Sequence, residues 1–246
     1  MSDPALLAVE DLSKHFGGFV ALEAINFTVG EGQRIGLIGP NGSGKSTLVN
    51  CLSGTLKAES GVVRFAGAAI DGLSAHQRIR LGIARSFQLP RPFASLTVAE
   101  NLHIPLIYTV AARPGRHLGE AEIAARTAEL LGLVGLAAKA GRLPRELSQV
   151  EMRKLELARA MAAEPKLLIA DESMAGLSHS EIEDILALLV RLNERGITII
   201  LIEHIMRAVM SFSQRILVLV AGRKIADAAP QDIVRDPEVT KAYLGE

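Results

Sequence analysis

A glycine-rich segment at residues 39–47 constrains this chain more than any other feature of its sequence. It follows a short apolar run and precedes a helical pattern, the setting in which backbone N–H groups wrap an anion at a helix N-terminus. Its lysine would meet phosphate groups, and the hydroxyl that follows suits Mg²⁺. The sequence therefore predicts a nucleotide-binding loop made of Gly39, Pro40, Asn41, Gly42, Ser43, Gly44, Lys45, Ser46 and Thr47.

Length and charge limit the remaining classes of function. The chain has 246 residues, 49% of them hydrophobic, which fits one α/β domain with an insertion. Lys and Arg together number 27, as do Asp and Glu, so no basic excess predicts a nucleic-acid partner. The longest apolar runs are far shorter than the ~20 residues of a membrane-spanning helix, and the N-terminus lacks a secretory pattern. We expect a cytoplasmic protein, with its single cysteine, Cys51, buried in a helix.

The order of apolar segments predicts a parallel sheet covered by helices. Residues 5–11 and 25–29 alternate like half-buried strands, whereas residues 34–38, 166–170 and 197–203 form continuous runs typical of strands buried on both faces. An amphipathic helix at residues 180–195 joins the last two runs in a predicted βαβ unit. Ligands are then expected at the carboxyl ends of the strands.

The middle of the chain has a different sequence pattern. Residues 91–164 are punctuated by prolines and show helical spacing at 119–131 and 151–163, which predicts a helical insertion. The insertion divides a core formed by residues 1–90 and 165–246. A single domain with an inserted helical part is the predicted organisation.

An acidic pair ends one of the buried strands. Asp171 and Glu172 follow an apolar run, where carboxylates are costly unless they face a metal or a solvated site. Asp171 would orient the Mg²⁺ shell, and Glu172 would polarise the attacking water as a general base. A merely solvated strand end is the alternative, and it is weaker for two adjacent carboxylates than for one.

These motifs, in this order, resemble the nucleotide-binding subunits of ABC transporters. The resemblance implies a RecA-like P-loop NTPase core with a mainly parallel sheet, an N-terminal antiparallel β subdomain and an inserted α-helical subdomain. It also implies roles for single residues: Phe16 stacks on adenine, Gln88 senses Mg²⁺ and nucleotide, and His204 contacts the terminal phosphate. A core phenylalanine, a surface glutamine and a structural histidine are the competing interpretations of these three residues.

A narrower resemblance is to the ATPases of branched-chain amino-acid importers. It rests on residues 16–18, 95–98, 174–178 and the tail at 237–245. It implies ATP and Mg²⁺ as ligands, transmembrane permease subunits and a second ATPase subunit as partners, and indirect cooperation with an external solute-binding protein. The implied location is the cytoplasmic face of the membrane. The solute itself is not specified by these residues.

One motif departs from the family pattern. Where the family usually has Leu-Ser-Gly-Gly-Gln, this chain has Leu147, Ser148, Gln149, Val150 and Glu151. In the family this segment grips ATP bound to the opposite subunit, with Ser148 at the contact, so the lost glycines and the added carboxylate predict an impaired site. A compatible interpretation is a capping box formed by Ser148 and Glu151. We therefore expect an asymmetric heterodimer rather than a homodimer, with hydrolysis at the site built on this chain's own Lys45, Glu172 and His204.

Three other functions compete with a transport ATPase. A soluble ABC protein that acts on nucleic acid or on an assembly scaffold is disfavoured by the zero net charge and the tail. A P-loop kinase is disfavoured by the helical insertion together with Gln88 and His204. A nucleotide-binding regulator without turnover is disfavoured because Glu172 and His204 are both retained.

Overall fold

The computed structural model describes residues 5–86 and 90–244, and Gln88 lies outside the described residues. The described strands form two sheets. The antiparallel sheet has the order β2-β1-β4-β5 and consists of β1 (Leu7–Phe16), β2 (Phe19–Val29), β4 (Ser60–Phe65) and β5 (Ala68–Ala69). The larger sheet has the order β10-β9-β3-β8-β7-β6 and consists of β3 (Arg34–Ile38), β6 (Ile83–Ser86), β7 (Leu167–Asp171), β8 (Thr198–Ile202), β9 (Arg215–Val220) and β10 (Arg223–Ala228).

Helices cover the larger sheet. They are α1 (Lys45–Ser53), α2 (Ala75–Leu81), α3 (Val98–Pro105), α4 (Glu120–Val134), α5 (Gln149–Ala162), α6 (His179–Glu194), α7 (Met206–Phe212), α8 (Pro230–Ile233) and α9 (Pro237–Leu244). A π-helical turn at Leu106–Val110 continues α3, and two 3₁₀ turns lie at Ala137–Lys139 and Pro144–Glu146. Within the described residues, no helix is both long and apolar enough to span a bilayer.

The strands of the larger sheet are apolar on both faces because both faces are covered. In β8, Ile199 and Leu201 pack into the core under the helices of residues 91–164, whereas Ile200 and Ile202 pack into the core shared with the antiparallel sheet. Strand β7 pairs in parallel with β8, and α6 connects them, which confirms the predicted βαβ unit. Continuous apolar runs are the expected sequence of such strands.

The antiparallel strands extend beyond their predicted bounds. Strand β1 runs on to Phe16 rather than ending at residue 11, and β2 begins at Phe19 rather than at residue 25. The pairing of β1 with β2 shifts register between Val9 and Leu12 and again before His15. Each bulge interrupts the alternation of buried and exposed side chains, so a search for period two truncates both strands.

Helix bounds differ from the prediction for a related reason. Helix α5 begins at Gln149 instead of residue 151, because Ser148 caps it and adds a first turn that carries no apolar periodicity. Helix α4 continues to Val134 and ends at Gly135 in the left-handed conformation, three residues beyond its predicted end. Cys51 is buried in α1, as expected.

Candidate functional site

The candidate site lies at the carboxyl ends of three neighbouring strands, β3, β8 and β7. The loop of residues 39–47 follows β3 and leads into α1, Asp171 and Glu172 end β7, and His204 follows β8. A cavity of about 210 Å³ lies between them. Its walls are the loop from Asn41 to Thr47 together with Phe19, Ala21, Glu172 and His204. The sheet thus brings together residues more than 150 positions apart in the chain.

The loop depends on glycine at two close approaches. Gly39 has φ +156°, and a Cβ atom there would lie 2.1 Å from the carbonyl oxygen of Leu219. Gly44 has φ +104°, and a Cβ atom there would lie 2.5 Å from the carbonyl oxygen of Ala21. Neither position accepts a side chain without movement of backbone, so the path of the loop requires glycine at both.

The turn between β9 and β10 supports the loop from below. The Gly222 N–H donates to the Ser43 carbonyl at 3.0 Å, and the Glu23 N–H donates to the Gly222 carbonyl at 2.8 Å. The Arg223 guanidinium pairs with the Glu23 carboxylate at 2.7 Å beside these bonds. The phosphate loop, β2 and the C-terminal hairpin are therefore joined by backbone hydrogen bonds.

Lys45 is buried at the first turn of α1, where it is 6% exposed. Its Nζ donates to the carbonyl oxygens of Gly39 and Pro40 at 2.7 and 3.0 Å. Burial lowers the pKa of the Lys45 ammonium, and the charges of Glu172 and Asp171 act against that shift. A cation that is satisfied only by neutral carbonyl groups can exchange them for an anionic phosphate.

A buried hydroxyl also faces the loop without a protein partner. The Ser43 side chain is 2% exposed, and its oxygen makes no hydrogen bond within residues 5–86 and 90–244. Buried hydroxyls are normally paired, so an unpaired one in a phosphate loop fits a site that is completed by a ligand. Together with Lys45, it makes the loop fit a nucleotide.

Asp171 is held by an ion pair at the end of β7. The Arg85 guanidinium contacts the Asp171 carboxylate through Nη2 at 2.5 Å and Nε at 3.2 Å, and its Nη1 donates to the Asn50 side chain at 2.7 Å. No cluster of three or more His, Cys, Asp or Glu side chains suited to a metal is found in the described part of the chain. Mg²⁺ commonly takes one or two carboxylates and completes its shell with phosphate oxygens and water. Asp171 and Ser46 fit that partial set of ligands.

Glu172 and His204 form a pair across the cavity. The His204 Nε2 lies 2.8 Å from the Glu172 Oε1. Glu172 has φ +45°, an uncommon conformation for a residue with a side chain, and its N–H donates to the Ile202 carbonyl at 2.9 Å. The backbone of β8 thereby fixes the residue whose side chain reaches the histidine. A carboxylate and an imidazole in contact, beside a phosphate loop, can hold and accept a proton from water.

The predicted aromatic residue does not line the cavity. Phe16 is 50% exposed, and the Lys14 Nζ lies 5.3 Å from its ring centroid. Phe19, which pairs with Phe16 across β1 and β2, lines the cavity and is 61% exposed. The role assigned to Phe16 stays a prediction, and Phe19 is a wall residue that the sequence did not single out. Its only signal is its place after a Gly-Gly turn.

Ser148 lies away from the phosphate loop and belongs to no wall of the cavity. It caps α5: its oxygen accepts the Glu151 N–H at 3.4 Å, while its own N–H donates to the Glu151 carboxylate at 2.8 Å. This confirms the predicted capping box. The Lys139 ammonium also contacts Glu151, at 2.6 Å, and is the main reason why the pKa of Glu151 is lowered, followed by the Ser148 N–H. The carboxylate is therefore already neutralised.

The sequence and the fold are similar to those of known proteins along the whole chain. The family model "ABC transporter" matches residues 22–175, and the model "Branched-chain amino acid ATP-binding cassette transporter" matches residues 223–246. The high-affinity branched-chain amino acid transport ATP-binding protein BraF of Pseudomonas aeruginosa is 38% identical, over 100% of both chains.

Solved structures give the same result. An ATP-binding cassette of an ABC transporter in its ADP conformation superposes with a TM-score of 0.88 and 32% identity, over 99% of this chain and 100% of that one. A dimeric ATP-binding cassette in a post-hydrolysis state with ADP and Pi superposes with a TM-score of 0.80 and 27% identity, over 91% and 98%.

Proposed function

Since this chain belongs to the ABC transporter family and is an ATPase of that type, we propose that it drives an importer of branched-chain or related amino acids. The observation that carries the proposal is the match over full length to BraF, extended by the match of residues 223–246 to the tail of branched-chain amino-acid cassettes. A soluble ABC protein without a transport role is less well supported, because residues 223–246 match the model of a transporter cassette.

The geometry supports definite roles in hydrolysis. Glu172 takes the proton of the attacking water, and His204, 2.8 Å from its carboxylate, orients that water and contacts the terminal phosphate. Lys45 leaves the carbonyl groups of Gly39 and Pro40 and binds the phosphates. When bound, Mg²⁺ offsets the phosphate charge, and Asp171, Ser46 and Gln88 are the residues that would hold it. Asp171 must then loosen its ion pair with Arg85.

We also propose a paired, asymmetric assembly. Residues 1–90 and 165–246 act as the nucleotide-binding core, and residues 91–164 as the helical part that presents Ser148 to a second ATPase subunit. The start of α5 carries a carboxylate already engaged by the cap and by Lys139, so it offers phosphate a less favourable surface than two glycines would. A heterodimer then hydrolyses ATP mainly at the site built on this chain's own phosphate loop.

The remaining partners follow from transport. Permease subunits dock near Gln88 and the helical part, on the cytoplasmic face of the membrane, and an external solute-binding protein delivers the solute to them. Dimer closure around ATP pulls on the permeases, and hydrolysis reopens the dimer. Co-purification of the chain with membrane permeases is expected; recovery with nucleic acid or a soluble scaffold instead would favour the non-transport alternative.

The decisive test measures Mg-ATP hydrolysis by the purified chain, alone and mixed with the ATPase subunit that co-purifies with it. We expect strong stimulation by the partner and its loss in Glu172→Gln, with nucleotide binding retained. Full activity of the chain alone would mean that residues 147–151 form a competent contact and that a homodimer works. Activity of Glu172→Gln equal to wild type would remove Glu172 as the base.

A further inference from the structure

Glu203 is a buried acid that the proposed mechanism does not use. It lies between β8 and His204 and is only 3% exposed. A carboxylate is rarely buried to this extent unless it is paired or hydrogen-bonded. An apolar residue at the end of this apolar strand would avoid the cost of burial, so the contacts of Glu203 need an explanation of their own.

The carboxylate of Glu203 holds two backbone segments together. Its Oε1 accepts the Met174 N–H at 2.8 Å, two residues beyond Glu172. The backbone N–H groups of Met174 and then of His204 both act to lower the pKa of this carboxyl. Glu172 and His204 reach the cavity from different strands, β7 and β8, and Glu203 links the turn that follows Glu172 to the residue that follows β8.

A third element holds the same turn. Arg153 of α5 is 6% exposed, and its Nη2 donates to the carbonyl oxygen of Ala175 at 3.4 Å. Burial lowers the pKa of the Arg153 guanidinium, and the negative charges of Glu203 and then of Glu156 act against that shift. Helix α5 begins at the segment of residues 147–151, so Arg153 joins that helix to the turn that Glu203 also holds.

The charged groups around Glu203 do not favour its ionised form equally. Burial raises the pKa of its carboxyl to about 7 despite the two backbone donors, with a further increase from Glu172 and an opposing effect from His204. The charge of Glu203 in turn acts to raise the pKa of Arg153 in α5. A buried acid that is maintained at this cost, beside residues that hydrolyse ATP, is more typical of a functional site than of a structural one.

We propose that Glu203 is a positioning residue: its carboxylate holds the turn after Glu172, which Arg153 of α5 also holds through the Ala175 carbonyl, against the end of β8 next to His204. Movement of α5 when its N-terminus engages the partner's nucleotide is thereby transmitted to the chain's own Glu172–His204 pair. The proposal rests on the proposed roles of Glu172 and His204, and it adds a physical link between the two half-sites that one chain contributes.

The test combines amide hydrogen exchange with a pH profile of hydrolysis, both on the chain assembled with its ATPase partner and permeases. Glu203→Ala removes the acceptor of the Met174 N–H, and faster exchange is expected at the amide of Met174. Glu203→Gln keeps the shape but not the charge; we expect kcat to fall about tenfold with KM for ATP unchanged. The rise of wild-type activity with pH near 7 should be lost in this variant.

Glu164→Gln is the control, since Glu164 is a carboxylate outside this group that pairs with Arg113 and Arg116. It should leave exchange at residues 172–176 unchanged. Exchange in Glu203→Ala equal to that control would overturn the proposal, as would faster exchange with wild-type kcat and pH profile in Glu203→Gln. Should Glu203→Ala not fold, Glu203→Gln alone decides through kcat and pH. If Glu172→Gln proved fully active, the proposed function would fail while the exchange result still reported on the link.

Discussion

The end of the parallel sheet and the start of α5 differ in how far their polar groups are paired within the chain. At the sheet end, Glu172 sits in a rare backbone conformation, Lys45 donates to two carbonyl oxygens, and the Ser43 hydroxyl has no partner within residues 5–86 and 90–244. At the start of α5, the polar side chains pair within the chain: Ser148 and Glu151 cap each other, and Lys139 pairs with Glu151. The first region is strained and open to a ligand, whereas the second is relaxed and closed on itself. This contrast is the physical basis for the proposed asymmetry.

The largest effect is expected for His204, at the end of the parallel sheet. His204→Ala should slow hydrolysis by roughly 100-fold or more, because the histidine contacts Glu172, and should weaken ATP binding much less, because Lys45 and the phosphate loop remain. Single-turnover phosphate release and a nucleotide titration measure the two effects. His179→Ala is the control, as His179 is exposed and lies only near Glu183. Equal rates in the two variants would mean that the sheet end does not carry the chemistry.

Glu203 should make the free energy of unfolding depend on pH. Its pKa is raised from 4.5 to about 7 in the folded chain, so this carboxyl contributes stability that is full below pH 4.5 and is lost as pH rises through 7. Relative to Glu203→Gln, the wild type should lose up to ~3 kcal/mol of unfolding free energy across that window. Urea unfolding at several pH values measures it. A difference that is independent of pH would show that burial does not perturb Glu203.

Rebuilding the start of α5 tests the other region. Replacement of Gln149 and Val150 by glycine and of Glu151 by glutamine should raise turnover of the heterodimer by several-fold, because backbone N–H groups become accessible to phosphate. Each glycine should lower the unfolding free energy by about 1 kcal/mol. Steady-state hydrolysis with the partner subunit gives the answer, with Gln149→Gly alone as the control. Unchanged turnover would mean that the native segment already works.

The smallest effect is expected for the Lys139–Glu151 pair. The two side chains are 39% and 23% exposed, so their coupling should be about 0.2–1 kcal/mol. A double-mutant cycle with Lys139→Ala and Glu151→Gln isolates it in urea unfolding. Because the pKa of Glu151 is lowered from 4.5, the coupling is present above pH 4.5 and is lost as pH falls further. Zero coupling at pH 7 would leave the charge of Glu151 exposed to the partner's ATP.

Local patterns predicted the phosphate loop, the buried strands and the Asp171–Glu172 pair, because each is written in contiguous residues with a fixed relation to a strand end. The structure brings Lys45, Glu172 and His204 to one cavity since β3, β8 and β7 are neighbours. Sequence patterns failed where distant packing decides. In the sequence Glu203 resembles an ordinary strand end, and the fold brings its carboxylate to the Met174 N–H in the turn after Glu172. The bulges of β1 hid half of that strand in the same way.

The turn at Gly222 has a consequence for exchanging parts between relatives. The segment that marks this subgroup begins at residue 223, one position after a backbone bond to Ser43. A C-terminal segment taken from another protein would therefore replace residues next to the support of the phosphate loop, rather than an independent part of the chain. Chimeras joined after β10 should keep the ATP affinity of this chain. Chimeras joined before Gly222 must form the hydrogen bond to Ser43 anew, so their ATP affinity should change.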